Sequence, residues 1–356
     1  MSAAAAQNTQ QVQALAFRAV GDMGGAFIMA LGYIGDRLGL FKAMAGAGPV
    51  TSTQLAEKTS LNERYVREWL RAMVAGEYLD YEASSQRYVM TPAQEFVLAD
   101  ESSPLFVGGA FHFTTPTILN TPRIMEAFKN GGGIPYSEIG EEIPCAIERF
   151  FKPGYINSLA SEWLPAVPGL VPRLEKGAAV IDVGCGHGQS TVSMALAFPN
   201  SQILGIDYHE ESIKRATALA AEHGVENARF ITTPADQIPG DRKYDLICSF
   251  DCIHDMVDPL ATVKAIREAL APDGVYLWSE PNASAEAYQN RNLVGRAFHA
   301  ISPLHCMTVS LAYGGAGLGT VIGETGARDL ARQAGFTSFE KLPIDNPFNQ
   351  FFALGR

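Results

Sequence analysis

Val180-Ile181-Asp182-Val183-Gly184-Cys185-Gly186-His187-Gly188-Gln189-Ser190 is the stretch on which the reading of this chain turns. An apolar strand carrying one acid runs straight into three glycines at alternate positions, and a helical run over 190–198 follows. Glycine permits backbone angles that other residues resist and lets the chain approach a ligand without side-chain interference. The helix that begins near Gln189 aims free N–H groups at whatever is bound. Strand, glycine loop and helix also open a dinucleotide-binding unit, but the spacing here differs. G-x-G-x-x-G counted from Gly184 puts its third glycine at position 189, which is Gln. That motif also leaves Asp182 unexplained. An acid just ahead of the loop suits a ligand with an ammonium group and repels a pyrophosphate.

Outward from the loop the acids continue. Ile203-Leu204-Gly205-Ile206-Asp207-Tyr208 is an apolar strand ending in an acid that can accept both hydroxyls of a ribose. Phe230-Ile231-Thr232-Thr233-Pro234-Ala235-Asp236-Gln237 reads as a strand ending in Asp, able to accept from an adenine amino group. Tyr244-Asp245-Leu246-Ile247-Cys248-Ser249-Phe250-Asp251 is the strand leading to the reaction centre. An Asp at one strand end is ordinary turn chemistry. Four in this order, at the carboxyl ends of consecutive strands where open α/β sheets bind ligands, are hard to obtain by chance.

Strand-like runs at 179–183, 202–206, 228–232, 244–250 and 274–279 alternate with helical ones at 190–198, 211–223 and 259–270. Repeated β-α-β implies an α/β fold with a mostly parallel, Rossmann-like sheet covered by helices. An insert over 282–325 separates this sheet from a last helix, 327–335, and a last strand, 351–354. Upstream, residues 1–12 are Ala/Gln-rich and expected to fray, and 12–45 carry helical spacing. The most apolar early stretch, 24–31, is shorter than the roughly 20 residues a bilayer span needs and reads as a core helix. Helices over 51–58 and 63–75, with polar caps ahead of apolar periodicity, precede two short strands at 78–81 and 87–90. Helix-turn-helix followed by a hairpin is a winged-helix pattern. Helical pieces, including 117–129 and 146–164, fill 91–178. The expected division is 1–100 winged helix and dimerisation, 101–165 helical connector, and 166–356 catalytic.

The composition is that of a globular protein: among 356 residues 47% are hydrophobic and 18% charged, with a formal net charge of −11. Such a balance is unfavourable for phosphates and anionic lipid. Five cysteines without a C-x-x-C pair read as reduced thiols, and no basic-then-apolar leader opens the chain, so a cytoplasmic protein is expected.

On these motifs, residues 179–280 resemble class I S-adenosylmethionine-dependent methyltransferases. The whole chain is similar to mycobacterial and nematode small-molecule methyltransferases that place a winged helix before the catalytic domain. Leu304-His305-Cys306-Met307-Thr308-Val309-Ser310-Leu311-Ala312, followed by Gly314-Gly315-Ala316-Gly317-Leu318-Gly319, looks like that group in particular. The resemblance implies S-adenosyl-L-methionine as cofactor. It places the methionine part on Asp182 with Gly184, Gly186 and Gly188, the ribose on Asp207 beside Tyr208, and the adenine on Asp236 beside Gln237. Phe250 and Asp251 complete the expected cofactor site.

Cys252-Ile253-His254-Asp255-Met256 resembles the His-Asp segment of plant-type O-methyltransferases, in which the histidine is the general base. Those enzymes carry a flanking acid after the next strand, and Glu280 matches it; their usual Trp after His-Asp is Met256 here. The expected catalytic set is therefore His254, Asp255 and Glu280. A base near neutrality helps when the acceptor is a hydroxyl or thiol. The expected acceptor lining is Tyr33, His112, Trp163, Phe298, His305 and Met307, with 111–113 around His112. No paired-His spacing suggests a metal, and Cys248 and Cys252 read as packing.

A winged helix also suggests a DNA-binding regulator that uses the second domain as a ligand sensor. Over 13–100, eight Lys/Arg face ten acids, a net of −2 that holds phosphates poorly. The resemblance instead implies a homodimer, with Tyr33 reaching the partner's pocket.

Overall fold

A computed structural model describes the backbone of residues 3–356 and the side chains from position 8 onward. The first two residues of the expected frayed segment lie outside the described residues. From position 3 the backbone is helical, not frayed. The chain divides into two compact units, one ending at Thr115 and the other beginning at Pro116.

The first unit holds α1 (Ala3–Arg37), α2 (Leu40–Met44), α3 (Ser52–Thr59), α4 (Glu63–Ala75), the antiparallel pair β1 (Asp80–Glu82) and β2 (Arg87–Val89), and α5 (Pro92–Leu98). Helix α6 (Gly108–Leu119) carries the chain across the division. Thr51 starts α3 with a reciprocal cap: its hydroxyl accepts from the Gln54 amide while the Gln54 side chain accepts from Thr51 N. Asn62 caps α4 by accepting from Arg64 N at 3.0 Å. Helix α4 buries Val66, Trp69, Leu70 and Met73, spaced to lie along one face, against Leu40, Phe41, Met44 and Leu55. A Cβ on Gly35 would stand 2.4 Å from the Trp69 ring, so glycine lets α1 close on α4, where Trp69 Nε1 donates to Leu31 O. A Val50–Tyr88 bridge ties the hairpin to the helices.

Two expectations need correction in this unit. Residues 24–31 read as core, and Ile28, Met29 and Leu31 do pack against it, but Phe27 is 64% exposed, and Val12, Leu15, Phe17, Val20 and Met23 before it are exposed as well. Periodicity identifies an apolar helix but not what covers it. Taken from Asn8 to Arg37, the helix is also long and apolar enough to cross a membrane, which the shorter 24–31 stretch is not. Phe111, expected beside the acceptor, is core: it stacks on Phe41 at 5.8 Å between ring centres.

The second unit continues with α7 (Thr121–Asn130), α8 (Glu142–Asn157), a π-helical turn at Leu159–Trp163 and α9 (Leu170–Lys176). Residues 117–129 are not one helix. α6 stops at Leu119 and Pro122 restarts the chain in the first turn of α7, where a missing N–H costs nothing. The helix expected over 146–164 begins earlier and gives way to the π turn.

Then come β3 (Ala179–Val183), α10 (Gln189–Ala197), β4 (Gln202–Asp207), α11 (Glu210–Glu222), β5 (Ala228–Thr232), β6 (Tyr244–Phe250), α12 (Pro259–Ala269) and β7 (Leu270–Pro281). Helices α13 (Leu293–Leu304) and α14 (Cys306–Ala312) lie in the insert, and α15 (Gly323–Ala334), β8 (Ser338–Lys341) and β9 (Asn349–Gly355) end the chain. The seven strands lie in the order β5-β4-β3-β6-β7-β9-β8. The first five are parallel, and β9 is antiparallel to both its neighbours.

Successive strand residues serve opposite faces. Ile181 and Val183 pack with Ile247, Trp278 and the α12 and α15 side, whereas Val180 packs with Ile203, Leu246 and Leu277 under Trp163 and Leu170. Burial on both faces explains why these strands read as nearly continuous apolar runs. The strand order reverses between β3 and β6, the place where a crevice opens outside the carboxyl ends of such strands.

Candidate active site

The loop after β3 is tied down before any ligand is considered. Gly184 N and Cys185 N both donate to Ile206 O of β4, at 2.8 and 3.0 Å. Gly184 has φ 72°, and a Cβ there would lie 2.7 Å from Cys252 Sγ; glycine therefore lets the turn after β6 close on the loop. Gly188 is held equally closely, because its Cβ would meet Ala216 and the Phe230 ring. At Gly186, by contrast, no atom lies within 4 Å of the Cβ position. That is open space at the apex of the loop.

Four aspartates lie around this loop, in addition to Glu148, whose Oε2 is 2.8 Å from Nδ1 of His187 within it. Asp182 is buried and accepts from Ser190 Oγ and Thr191 Oγ1, both at 2.6 Å. Burial nevertheless pushes it up to about 6, and Asp207 adds to the rise. Asp207 accepts from Gly186 N at 3.0 Å and from His209 N at 2.9 Å, and burial raises it too. Asp251 is pushed up to about 7 by burial and by Glu280, against the lowering effects of His254 and Asn349. Asp255 reaches about 7 by burial, with Glu280 and Asp207 raising it further and His254 opposing. The Tyr155 phenol is held well above its ordinary value by burial, with Asp251 and Asp182 adding to the rise.

Beyond β6 the backbone takes a strained step. Asp251 has φ 53°, unusual for a residue with a side chain, and the amide of this residue donates to Ser279 O at 3.0 Å. A short 3-10 turn, Ile253–Asp255, then presents His254. His254 is 2% exposed and its Nδ1 lies 2.5 Å from Oε2 of Glu280, which is fully buried near the end of β7. The other Glu280 oxygen accepts from Trp278 Nε1 at 2.8 Å. Burial works against a charged imidazole, but the Glu280 carboxylate and the Cys306 side chain outweigh it and hold His254 well above its ordinary value. His305, by contrast, is pushed down to about 4 by burial and by His254, and is neutral.

The structure thus brings His254, Asp255 and Glu280 into one cluster, with Asp182, Asp207, Asp251 and the three glycines beside it. Tyr208 is half-exposed, 6.4 Å from the Tyr313 ring and 6.2 Å from Tyr136. Phe250 is buried against Tyr155 and Trp163, in a packing position. Asp236 and Gln237 are exposed, and the strand expected to end in Asp236 stops at Thr232, because Pro234 carries the chain into a turn. Trp163 is buried 4.7 Å from Phe351. Phe298 and His305 are buried on or beside α13, and Met307 is half-buried on α14. Tyr33 and His112 belong to the first unit, their rings 6.1 Å apart. No local motif points to Asn349, Tyr155 or Tyr136; each comes from a segment far from the glycine loop in sequence.

In the first unit, the three arginines on α4 are engaged within their own helix. Arg64 and Arg71 pair with Glu68, and Arg67 pairs with Glu63.

Residues 174–315 match the model of a methyltransferase domain, and residues 26–99 match that of an Rv2258c-like winged HTH domain. The ubiquinone biosynthesis O-methyltransferase of Bordetella avium is 29% identical over 144 residues, 40% of this chain and 57% of that protein. The one of Idiomarina loihiensis is 35% identical over 115 residues, 32% of this chain and 46% of the relative. The chain therefore spans about half the length of these curated relatives. Among solved structures, a candidate O-methyltransferase of Nostoc punctiforme superposes with a TM-score of 0.74 at 22% identity, covering 96% of this chain and 98% of that one. Human N-acetylserotonin methyltransferase in complex with S-adenosylmethionine superposes with a TM-score of 0.68 at 18% identity, covering 96% and 97%. At these identities the likeness is one of fold. The matched domains and the sheet order make this chain a methyltransferase-domain protein of the class I fold, with an N-terminal winged helix-turn-helix domain.

Proposed function

We propose that the protein moves a methyl group from S-adenosylmethionine to a hydroxyl or thiol of a small molecule, with His254 as general base. The observation that carries this reading is the set of four carboxyls at the carboxyl ends of β3, β4 and β6, all pushed up and gathered around an open glycine loop. Carboxyls raised first by burial, and in Asp182, Asp251 and Asp255 also by a neighbouring carboxylate, form a site for a cation and disfavour a pyrophosphate. S-adenosylmethionine is such a cation and, when bound, supplies a methyl group on an already reactive sulfonium.

The residues present fit that group. Asp182, fixed by Ser190 and Thr191, and the open space at Gly186 would serve the amino-acid end. Asp207 keeps a lone pair on each oxygen beyond the two amides it already accepts, enough for two ribose hydroxyls. His254 receives the acceptor's proton on Nε2, since Nδ1 is committed to Glu280, and the buried carboxylate balances the resulting imidazolium. Positioning of the acceptor supplies most of the rate.

The alternative of a DNA-reading regulator finds less support, because the arginines of α4 are spent on intrahelical pairs. The acceptor's identity is the part of the proposal most open to test. Purified protein, methyl-labelled cofactor and a panel of small phenols, alcohols and thiols should yield a methylated product by mass spectrometry. Protein that binds NADH in calorimetry and ignores S-adenosylhomocysteine would overturn the reading.

A further inference from the structure

The apex of the glycine loop is tied to a helix that no motif marks. Gly188 N donates to Cys185 O at 2.9 Å and closes a turn whose two central residues are Gly186 and His187. Each central residue is held by a carboxyl group from a different element. Gly186 N donates to Asp207 of β4 at 3.0 Å, and His187 Nδ1 lies 2.8 Å from Oε2 of Glu148 on α8. A carboxylate only accepts, so Nδ1 carries the hydrogen and donates. The His187 and Glu148 side chains are 9% and 14% exposed, and a pair so shielded from water is little screened by salt. Glu148 is not alone on its face of α8. Tyr155 follows two helical turns along the same side, and its ring lies 5.5 Å from that of Phe250, the last residue of β6. α8 thus reaches from the loop after β3 to the end of β6. These are the neighbouring strands at which the strand order reverses, so the helix crosses the crevice where such a sheet binds ligands. Pro153 lies between the two anchors and removes one hydrogen bond of the helix. The Glu148 end is therefore held less by the Tyr155 end than an unbroken helix would hold it.

We propose that Glu148 is a positioning residue for the cofactor: through His187 it fixes the apex of the glycine loop and keeps α8 across the crevice. This role rests on the reading that S-adenosylmethionine occupies that crevice. Asp207 cannot hold the apex alone, because its oxygens also serve the ribose hydroxyls. The tie to Glu148 uses no atom of the cofactor, so the apex has the same shape before and after the cofactor arrives. A loop set in advance spares binding the cost of ordering it.

Two measurements on the full-length protein test this: calorimetry with S-adenosylhomocysteine, and amide hydrogen exchange over 184–188 without ligand. Glu148→Ala should weaken the ligand about tenfold, as loss of a hydrogen bond to a charged group does. It should also speed exchange in the loop while β3, β4 and β6 keep theirs. Glu148→Gln still accepts from Nδ1 but without the charge, so affinity should fall only about threefold. His187→Asn, too short to reach α8, should match Glu148→Ala. The double variant should lose no more than either, since the two side chains act as one unit. Should Glu148→Ala not fold, His187→Asn and Glu148→Gln carry the same comparison. Undiminished affinity in His187→Asn, or additive losses in the double variant, would overturn the proposal and leave the cofactor reading intact. Wild-type protein that ignores S-adenosylhomocysteine would overturn both.

Discussion

Asn349 Nδ2 donates to both carboxylate oxygens of Asp251, at 2.6 and 2.7 Å, across 98 residues of chain. The same nitrogen reaches Ser279 Oγ at 3.2 Å, so one side chain of β9 holds the strained residue after β6 and the end of β7 together. Because the bond favours the charged carboxylate, Asn349→Ala should raise Asp251 above its present value of about 7. Hydrogen bonds to charged groups contribute about 1.5–3 kcal/mol. The variant should therefore lose about that much stability at pH 8.5, where Asp251 is ionised, and less at pH 5.5. Urea denaturation at the two pH values measures this. Equal losses would mean that Asn349 acts by packing alone.

The raised carboxyls make a second prediction, for stability against pH. Asp182, at about 6, and Asp251 and Asp255, at about 7, all stand above the 3.8 of an unfolded chain. Between pH 4 and 7 the native state thus binds more protons than the unfolded one, and by linkage stability falls as pH rises. The ligand-free protein should melt at higher temperature near pH 5 than near pH 8. S-adenosylmethionine, which brings positive charge to these groups, should recover more of the loss at pH 8 than S-adenosylhomocysteine, which lacks the sulfonium. A melting temperature flat from pH 5 to 8, with equal shifts from both ligands, would remove the electrostatic argument for the cofactor.

Asn349 also marks the limit of what is legible in the sequence. Asp182, the three glycines, Asp207, Asp251 and His254 lie in contiguous strings at strand ends, where local spacing alone reveals them. Glu280 is legible because it ends the next strand. Asn349, Tyr155 and Cys306 reach the same place through antiparallel pairing, a helix face and an insert, where no local period encodes a neighbour. Strand β8 escapes for another reason: four residues at a sheet edge bury little and carry no apolar run. The exposure of α1 is hidden because an apolar period is silent about what covers it.

The uncovered face of α1 gives a test of the expected homodimer, in which Tyr33 would reach the partner's pocket. Phe17 and Phe27 are 75% and 64% exposed on a helix that also exposes Val12, Leu15, Val20 and Met23, and contiguous exposed apolar surface marks an interaction site. Light scattering should give about twice the 38.3 kDa chain mass at micromolar concentration. The double variant Phe17→Glu with Phe27→Glu should weaken self-association by at least tenfold, since each buried aromatic contributes more than about 1.5 kcal/mol. A wild-type monomer that co-sediments with phospholipid vesicles would assign the face to a membrane surface instead.

The arginines of α4 give a prediction about nucleic acid. With Arg64, Arg67 and Arg71 paired to Glu68 and Glu63, few cations remain to displace counterions from a duplex. Random duplex DNA should not shift in a gel at about 50 mM salt and micromolar protein. A retarded band that disappears with Arg64→Ala and Arg71→Ala would restore the regulator reading of the winged helix.

The last prediction separates the chemistry of His254 from its packing. If the imidazole takes the acceptor's proton, His254→Ala should lower turnover by about 10²–10⁴-fold while leaving S-adenosylhomocysteine affinity nearly unchanged. The pH profile carries more information. A base must be neutral to act, and Glu280 holds His254 well above its ordinary value, so wild-type turnover should climb with pH through an elevated apparent pKa. Glu280→Gln keeps a hydrogen-bonding side chain but removes the charge that favours the imidazolium. The climb should then move to lower pH, even as maximal turnover falls because the developing imidazolium has lost its counter-charge. A merely structural Glu280 would lower turnover without moving the profile. The acceptor atom shows itself in the alanine variant: a thiol, with a pKa near about 8.5, ionises unaided as pH approaches 9, so part of the lost rate returns. An alkyl hydroxyl shows no such recovery. An alanine variant with near-normal turnover at pH 7 would reduce His254 to a packed side chain and leave proximity as the whole mechanism.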